Sequence, residues 1–235
     1  MDSRSEKIIV ALDVGTAKEA LRLVELLGPS TSFFKVGLQL FTAAGPAFVR
    51  QLVDQRLKIF LDLKLHDIPN TVANAVRVCG DLGVQMTTIH LAGGREMIAA
   101  AVSASNAGLT LLGVTVLTSM DDATLHETGI SGNASEQVLR LATLGADAGI
   151  KGLVASSHEV KELRARFGAK TAIVVPGIRP PSSAASDQKR VMAPAEAIKL
   201  GADHIVIGRP ITAHPQPVEA LQQIVKEINQ GNGGL

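Results

Sequence analysis

The chain has 235 residues, a formal net charge of +1, 46% apolar residues, 3% aromatic residues and neither Tyr nor Trp. That length holds one large domain with a sizeable core, while the near-neutral charge gives no electrostatic case for nucleic acid or an anionic membrane surface. The scarcity of aromatics also removes the stacking platforms of single-strand binders.

A lone cysteine, Cys79, cannot form an internal disulfide and reads as a buried structural thiol. No apolar run reaches the ~18 residues of a membrane span, and residues 1–7 lack the apolar core of a signal peptide, so a cytoplasmic location is expected. Apolar, β-branched runs recur at residues 8–13, 33–38, 59–64, 86–91, 111–117, 152–156, 172–176 and 204–207. Most are continuously apolar, as strands buried on both faces are. Helical periodicity fills the intervals at 17–27, 47–55, 71–82, 96–105, 135–146 and 195–200, and an amphipathic segment over 218–228 closes the chain. Eight β-α units in this length predict the α/β class, a single-domain (β/α)8 TIM barrel over residues 1–235 with a loose tail at 230–235. An open doubly wound sheet would need fewer strands and a Gly-rich first turn, and Asp13-Val14-Gly15-Thr16 is not one. Two connections, 118–133 and 177–191, exceed what a barrel needs. Both leave the carboxyl ends of strands, where long loops serve as lids or binding loops.

The stretch Asp62-Leu63-Lys64-Leu65-His66-Asp67-Ile68-Pro69-Asn70-Thr71 carries most of the chemistry. Strand alternation puts Asp62 and Lys64 on one side and Leu61, Leu63 and Leu65 on the other. Charges facing inward from a buried strand are costly unless other charges compensate. Asp13 ends the first strand and Lys35 lies in the second, so closing the barrel gathers two carboxylates and two ammonium groups in one small volume. Such an array can hold a Lys as a positioned acid in a dry site. Asp62 and Lys64 alone fit equally well an ion-pair network that merely fills the barrel mouth; Asp13 and Lys35 tip the reading towards function. Asp67 could simply favour the N-terminus of the next helix by its charge. His66 and His90 receive no catalytic role.

A second constellation follows the seventh and eighth strands: Val175-Pro176-Gly177-Ile178-Arg179 and Ile207-Gly208-Arg209-Pro210. Barrels commonly hold a phosphate there, with glycines admitting the backbone and arginines forking onto the oxygens. One Gly-Arg pair is weak, whereas two in these positions predict a phosphorylated ligand. No His/Cys cluster has ligand spacing and no dinucleotide fingerprint stands out, so neither metal nor cofactor is expected.

Several segments together resemble the orotidine 5′-phosphate decarboxylase family in its bacterial form. They are Ala11-Leu12-Asp13, Phe34-Lys35-Val36-Gly37, Asp62-Leu63-Lys64 through Asp67-Ile68-Pro69-Asn70-Thr71, Leu117-Thr118-Ser119, Pro176-Gly177-Ile178-Arg179, Gln188 and Ile207-Gly208-Arg209. They run in family order over nearly the whole chain. The resemblance implies decarboxylation of orotidine 5′-monophosphate to UMP, without a cofactor. It implies Lys64 as proton donor to C6, Asp62 against the substrate carboxylate, Lys35 completing the array at the ribose, and Asp13 on a ribose hydroxyl. Thr118 and Ser119 are implied at the pyrimidine edge, Gln188 between base and phosphate, and Arg179, Gly208 and Arg209 on the phosphate, with Pro176 and Ile68 among the substrate contacts. It further implies a homodimer in which Asp67 and Thr71 reach into the neighbour's site.

Two rivals stand beside this reading. The 3-keto-gulonate-phosphate decarboxylases and hexulose-phosphate synthases also resemble the Asp-x-Lys-x-x-Asp pattern but use magnesium held by extra carboxylates; Ile68-Pro69-Asn70-Thr71 and Gln188 weigh against them. A non-catalytic sensor of a phosphorylated metabolite would keep Arg179 and Arg209 but has little use for Lys35, Asp62 and Lys64 together.

Overall fold

The computed structural model describes residues 5–180 and 192–231. Its centre is a closed barrel of eight parallel strands in sequential order, the first strand pairing with the eighth to seal it. After β1 (Ile8–Ala11), helix α1 (Ala17–Leu27) starts where the Thr16 side chain accepts a hydrogen bond from the Glu19 amide. Strand β2 (Phe33–Gly37) runs straight into α2 (Leu38–Asp54), which breaks at Gly45 (φ 71°) ahead of Pro46. The segment predicted at 47–55 is therefore the second half of a longer, kinked element.

Strand β3 (Lys58–Leu65) leads to α3 (Pro69–Asp81), opened by a proline whose missing N–H costs nothing at that position. Then come β4 (Met86–His90), α4 (Gly94–Ala104) and β5 (Thr110–Val114). The long connection after β5 is not bare loop: it holds α5 (Asp122–Glu127), capped by Asp121 and anchored by the buried Leu125. Helix α6 (Ala134–Asp147) begins with a capping box between Asn133 and Glu136.

After β6 (Gly152–Val154) comes helix α7 (Val160–Phe167), which the eightfold pattern calls for but which no helical periodicity delimits. It is short and polar, with only Val160 and Leu163 buried, so its apolar stripe is too brief for periodicity to reveal. Strand β7 (Ala172–Val175), helix α8 (Pro194–Lys199), strand β8 (His204–Ile207), helix α9 (Arg209–Thr212) and helix α10 (Pro217–Gly231) complete the chain. Helix α10 continues through Gln230 and Gly231, which the sequence reading assigned to a loose tail. The rest of that tail lies outside the described residues.

The core has two layers, as a packed barrel requires. Ile9, Phe33, Phe60, Leu112, Val174 and Val206 help fill the barrel interior. A larger shell, including Ile8, Val10, Phe34, Ile59 and Leu61, joins the strands to the surrounding helices. Adjacent residues of one strand thus serve opposite layers, which explains the unbroken apolar runs. Cys79, on α3, is buried in the outer shell against the Thr87 hydroxyl, and burial pushes its thiol pKa up.

Candidate active site

The carboxyl ends of the strands surround a cavity of about 250 Å³. Its floor is apolar, with Ala11, Phe60, Val114, Val154 and Val206, and its rim is charged. Around the rim come Asp13, Lys35, Asp62 and Lys64, then Thr118, Pro176–Arg179 and Gly208–Pro210, and the ring closes where β8 meets β1, a Cβ on Gly208 lying 3.4 Å from Asp13 Oδ2. The sequence expected these groups to converge, and the fold brings them together.

The four charges form a chain of alternating sign. The Lys35 ammonium is 2.9 Å from Asp13 Oδ1 and 4.0 Å from Asp62 Oδ2, and Lys64 Nζ donates to Asp62 Oδ2 at 2.7 Å. Adjacent strand positions set this spacing: Ala11 pairs with Lys35, and Gly37 with Asp62. The side chains of Lys35 and Asp62 are only 10% and 13% exposed, against 37% for Lys64 and 53% for Asp13. Lys64 is thus the more solvent-accessible ammonium of the two, tethered to a shielded carboxylate. Gly37 makes the packing possible, since a Cβ there would lie 2.7 Å from Lys35 Nζ and 3.2 Å from Asp13 Oδ1.

Plain strand alternation does not explain how Lys64 reaches Asp62. Lys64 has φ 52°, a left-handed backbone inside a strand, which costs a long side chain about 1–3 kcal/mol. Arg56 is the other described non-glycine residue with positive φ, but it lies in the turn before β3, where such a conformation is ordinary. The register between β3 and β4 slips between Leu61 and Leu65, forming a bulge at the site. The predicted sidedness survives, because Leu61, Leu63 and Leu65 still pack on the outer shell.

The sequence reading assigned none of the apolar floor residues to the site, and it missed a polar residue that stands behind the charged array. Thr88 on β4 is fully buried; its hydroxyl accepts from the Lys64 amide at 2.8 Å and donates to Asp62 Oδ1 at 3.0 Å. A signal was present: two threonines in the apolar run Met86-Thr87-Thr88-Ile89 must each find a partner once buried. His90 ends β4 close to His66, their ring centroids 5.5 Å apart. Burial, chiefly, and then the nearby His66 and Lys64 hold the His90 imidazole pKa below its usual 6.5.

Further round the rim, Gly177 turns the chain with φ 76°, and the Arg179 amide donates to Met192 O at 3.1 Å, pinning the two ends of the long loop. Gln188 lies outside the described residues. Four other predicted residues do not line this chain's cavity. Asp67, Ile68 and Thr71 are exposed at the start of α3, with Asp67 Oδ1 accepting from the Ile68 amide at 2.6 Å, and Ser119 is exposed beside Thr118. Among the described residues, no three His, Cys, Asp or Glu side chains gather to hold a metal ion, and no helix is long and apolar enough to cross a membrane.

Residues 6–224 match the family described as orotidine 5′-phosphate decarboxylase / HUMPS. The chain is 49% identical over 223 residues to the orotidine 5′-phosphate decarboxylase of Psychromonas ingrahamii, covering 93% of this chain and 95% of that one. It is also 49% identical over 232 residues to the Moorella thermoacetica protein of the same name, covering 95% and 92%. Among solved structures, the orotidine 5′-phosphate decarboxylase of Lactobacillus acidophilus superposes with a TM-score of 0.83 at 38% identity, over 94% of this chain and 98% of its own. An uncharacterized conserved protein from Geobacillus kaustophilus superposes with a TM-score of 0.82 at 35% identity, over 94% and 100%.

Proposed function

This chain belongs to the orotidine 5′-phosphate decarboxylase / HUMPS family, and from that premise we propose that it is a carboxy-lyase converting orotidine 5′-monophosphate to UMP in pyrimidine synthesis. In this reading it works without a cofactor, as a cytoplasmic homodimer of single-domain subunits. The observation that carries the proposal is the alternating array Asp13–Lys35–Asp62–Lys64 sharing one cavity with two Arg-bearing loops.

The chemistry asks for such an arrangement. The bond from C6 to the carboxylate breaks, carbon dioxide leaves, and the electron pair stays on C6. That carbanion has no conjugated sink, so a fixed cation beside C6 stabilises the developing charge. Lys64 supplies the cation and then gives C6 its proton, completing UMP and leaving a neutral amine for solvent to recharge. Asp62 lies against the departing carboxylate, orienting Lys64 by its 2.7 Å bond. Lys35 spans Asp62 and Asp13 and, with Asp13, holds the ribose. Thr118 and Ser119 contact the pyrimidine edge. Pro176, Arg179, Gly208 and Arg209 grip the phosphate, whose binding energy, gained away from C6, is used at the reacting centre; the resemblance assigns Gln188, outside the described residues, to the base and phosphate.

Asp67, Ile68 and Thr71 act on the site of the second subunit. Their exposure away from this chain's cavity supports that role, as do the large apolar side chains of Leu38 and Ile68, 63% and 66% exposed. The related magnesium-dependent phosphosugar enzymes fit less well, since the named relatives at 49% identity are orotidine 5′-phosphate decarboxylases.

The test is ultraviolet absorbance of orotidine 5′-phosphate mixed with the purified chain in excess EDTA. Loss of the substrate band with UMP as product is expected. Binding without turnover would replace the enzyme by a sensor. Turnover of phosphosugars only when magnesium is restored would move the chain to the other branch of the family.

A further inference from the structure

We propose that Thr88 is a positioning residue that sets the geometry of both Asp62 and Lys64 through one hydroxyl. The inference rests on the decarboxylase reading above and adds a residue that touches no reacting atom.

The register between β3 and β4 carries the case. Leu61 pairs with Thr87 and Leu65 with Ile89, so β3 spends Asp62, Leu63 and Lys64 where β4 spends Thr88 alone. A bulge of this kind removes the ladder bonds that would otherwise fix the strand. At Lys64 the Thr88 hydroxyl takes the place of that ladder: the Lys64 amide donates to Thr88 Oγ1 at 2.8 Å. Without it, the Lys64 amide loses its partner on β4, and the restraint that holds Lys64 at φ 52° weakens. The same hydroxyl gives its only proton to Asp62 Oδ1 at 3.0 Å.

Both oxygens of Asp62 are thereby engaged, Oδ1 by Thr88 and Oδ2 by Lys64. This fixes the carboxylate plane in a position only 13% exposed. Thr88 is itself fully buried, so water cannot substitute for it without rearrangement. Thr87, next to it, bonds outward to Leu61 O at 2.9 Å and to Cys79, and touches neither charged group. It provides an internal control of the same residue type, burial and strand.

The test compares Thr88→Val, Thr88→Ser and Thr87→Val with the unmodified chain. Valine keeps the shape and loses the hydroxyl; serine keeps the hydroxyl. Thr88→Val is expected to lower kcat about 100-fold, the scale of an ångström-level misplacement of a catalytic group, with KM near that of the unmodified chain because the phosphate grip is intact. Thr88→Ser is expected to recover most of kcat, and Thr87→Val to lose thermal stability while keeping kcat. A Thr88→Val chain with kcat near the unmodified value overturns the proposal. So does a loss of kcat that Thr88→Ser fails to restore, or one that Thr87→Val equals. A crystal structure of Thr88→Val reads the geometry directly: Lys64 still left-handed with Asp62 unmoved also overturns it. If the unmodified chain does not decarboxylate orotidine 5′-phosphate, the reading of the reaction falls, and that crystal structure alone decides the positioning role.

Discussion

Strand β3 carries a lysine–carboxylate pair at each end, both at 2.7 Å. At its amino end Lys58 meets Glu6, with side chains 39% and 54% exposed. At its carboxyl end Lys64 meets Asp62, a carboxylate only 13% exposed and linked onward to Lys35 and Asp13. Equal distances conceal unequal physics. The outer pair is screened by water and contributes little. The inner one sits over an apolar floor, on a strained backbone, held by a buried hydroxyl, and ends in a cavity. Burial, strain and convergence set the inner pair apart, whereas contact length does not.

The strongest way to break this contrast is to cut each lysine. Lys64→Ala should lower kcat by at least about 10⁴-fold, combining lost proton donation and lost charge stabilisation, while UMP still binds. A Lys64→Ala chain that turns over normally would leave the inner pair no more functional than the outer one. Next in size is the test of the reach proposed for Asp67 into a second subunit. Asp67→Asn and Lys64→Ala chains, each nearly inactive alone, should regain turnover when mixed under exchange conditions. Mixing without recovery would return Asp67 to a local role at the start of α3.

A subtler perturbation is Gly37→Ala. The added methyl displaces the Lys35 ammonium from Asp13, and kcat should fall roughly ten- to 100-fold. Melting temperature should barely move, because the lysine tip is flexible. Destabilisation without loss of rate would show that Gly37 serves only the backbone.

Much of this was legible in the sequence. All eight strands stand where the apolar runs predicted, because buried parallel strands leave an unbroken apolar signature. Asp13, Lys35, Asp62, Lys64, Arg179 and Arg209 could be named because four charges end neighbouring strands and two Gly-Arg pairs follow the seventh and eighth. The element before Gly45 and helix α7 were not legible: one is interrupted by Gly45-Pro46, the other buries two residues.

Two smaller measurements sharpen the contrast between mouth and base. Burial lowers the pKa of His90 near the mouth and of His204 at the base. As pH falls below about 6.5, the unfolded chain takes up protons that the folded chain resists, so stability should decline. His90→Gln and His204→Gln should each flatten that decline in melting temperature; an unchanged slope would remove these imidazoles as its cause. Last, Lys58→Ala should leave kcat unchanged, and any substantial loss would end the distinction drawn between the two pairs.

The sequence by itself determined the eightfold alternation of strand and helix and the inventory of charges at the barrel mouth. Both depend on local periodicity, which each segment carries within itself. Only the tertiary structure decided that β3 bulges opposite Thr88, that Lys64 takes a left-handed backbone, and that Asp67, Ile68 and Thr71 stand away from their own cavity. Register is a relation between two strands, and neither strand's sequence states where three residues will face one.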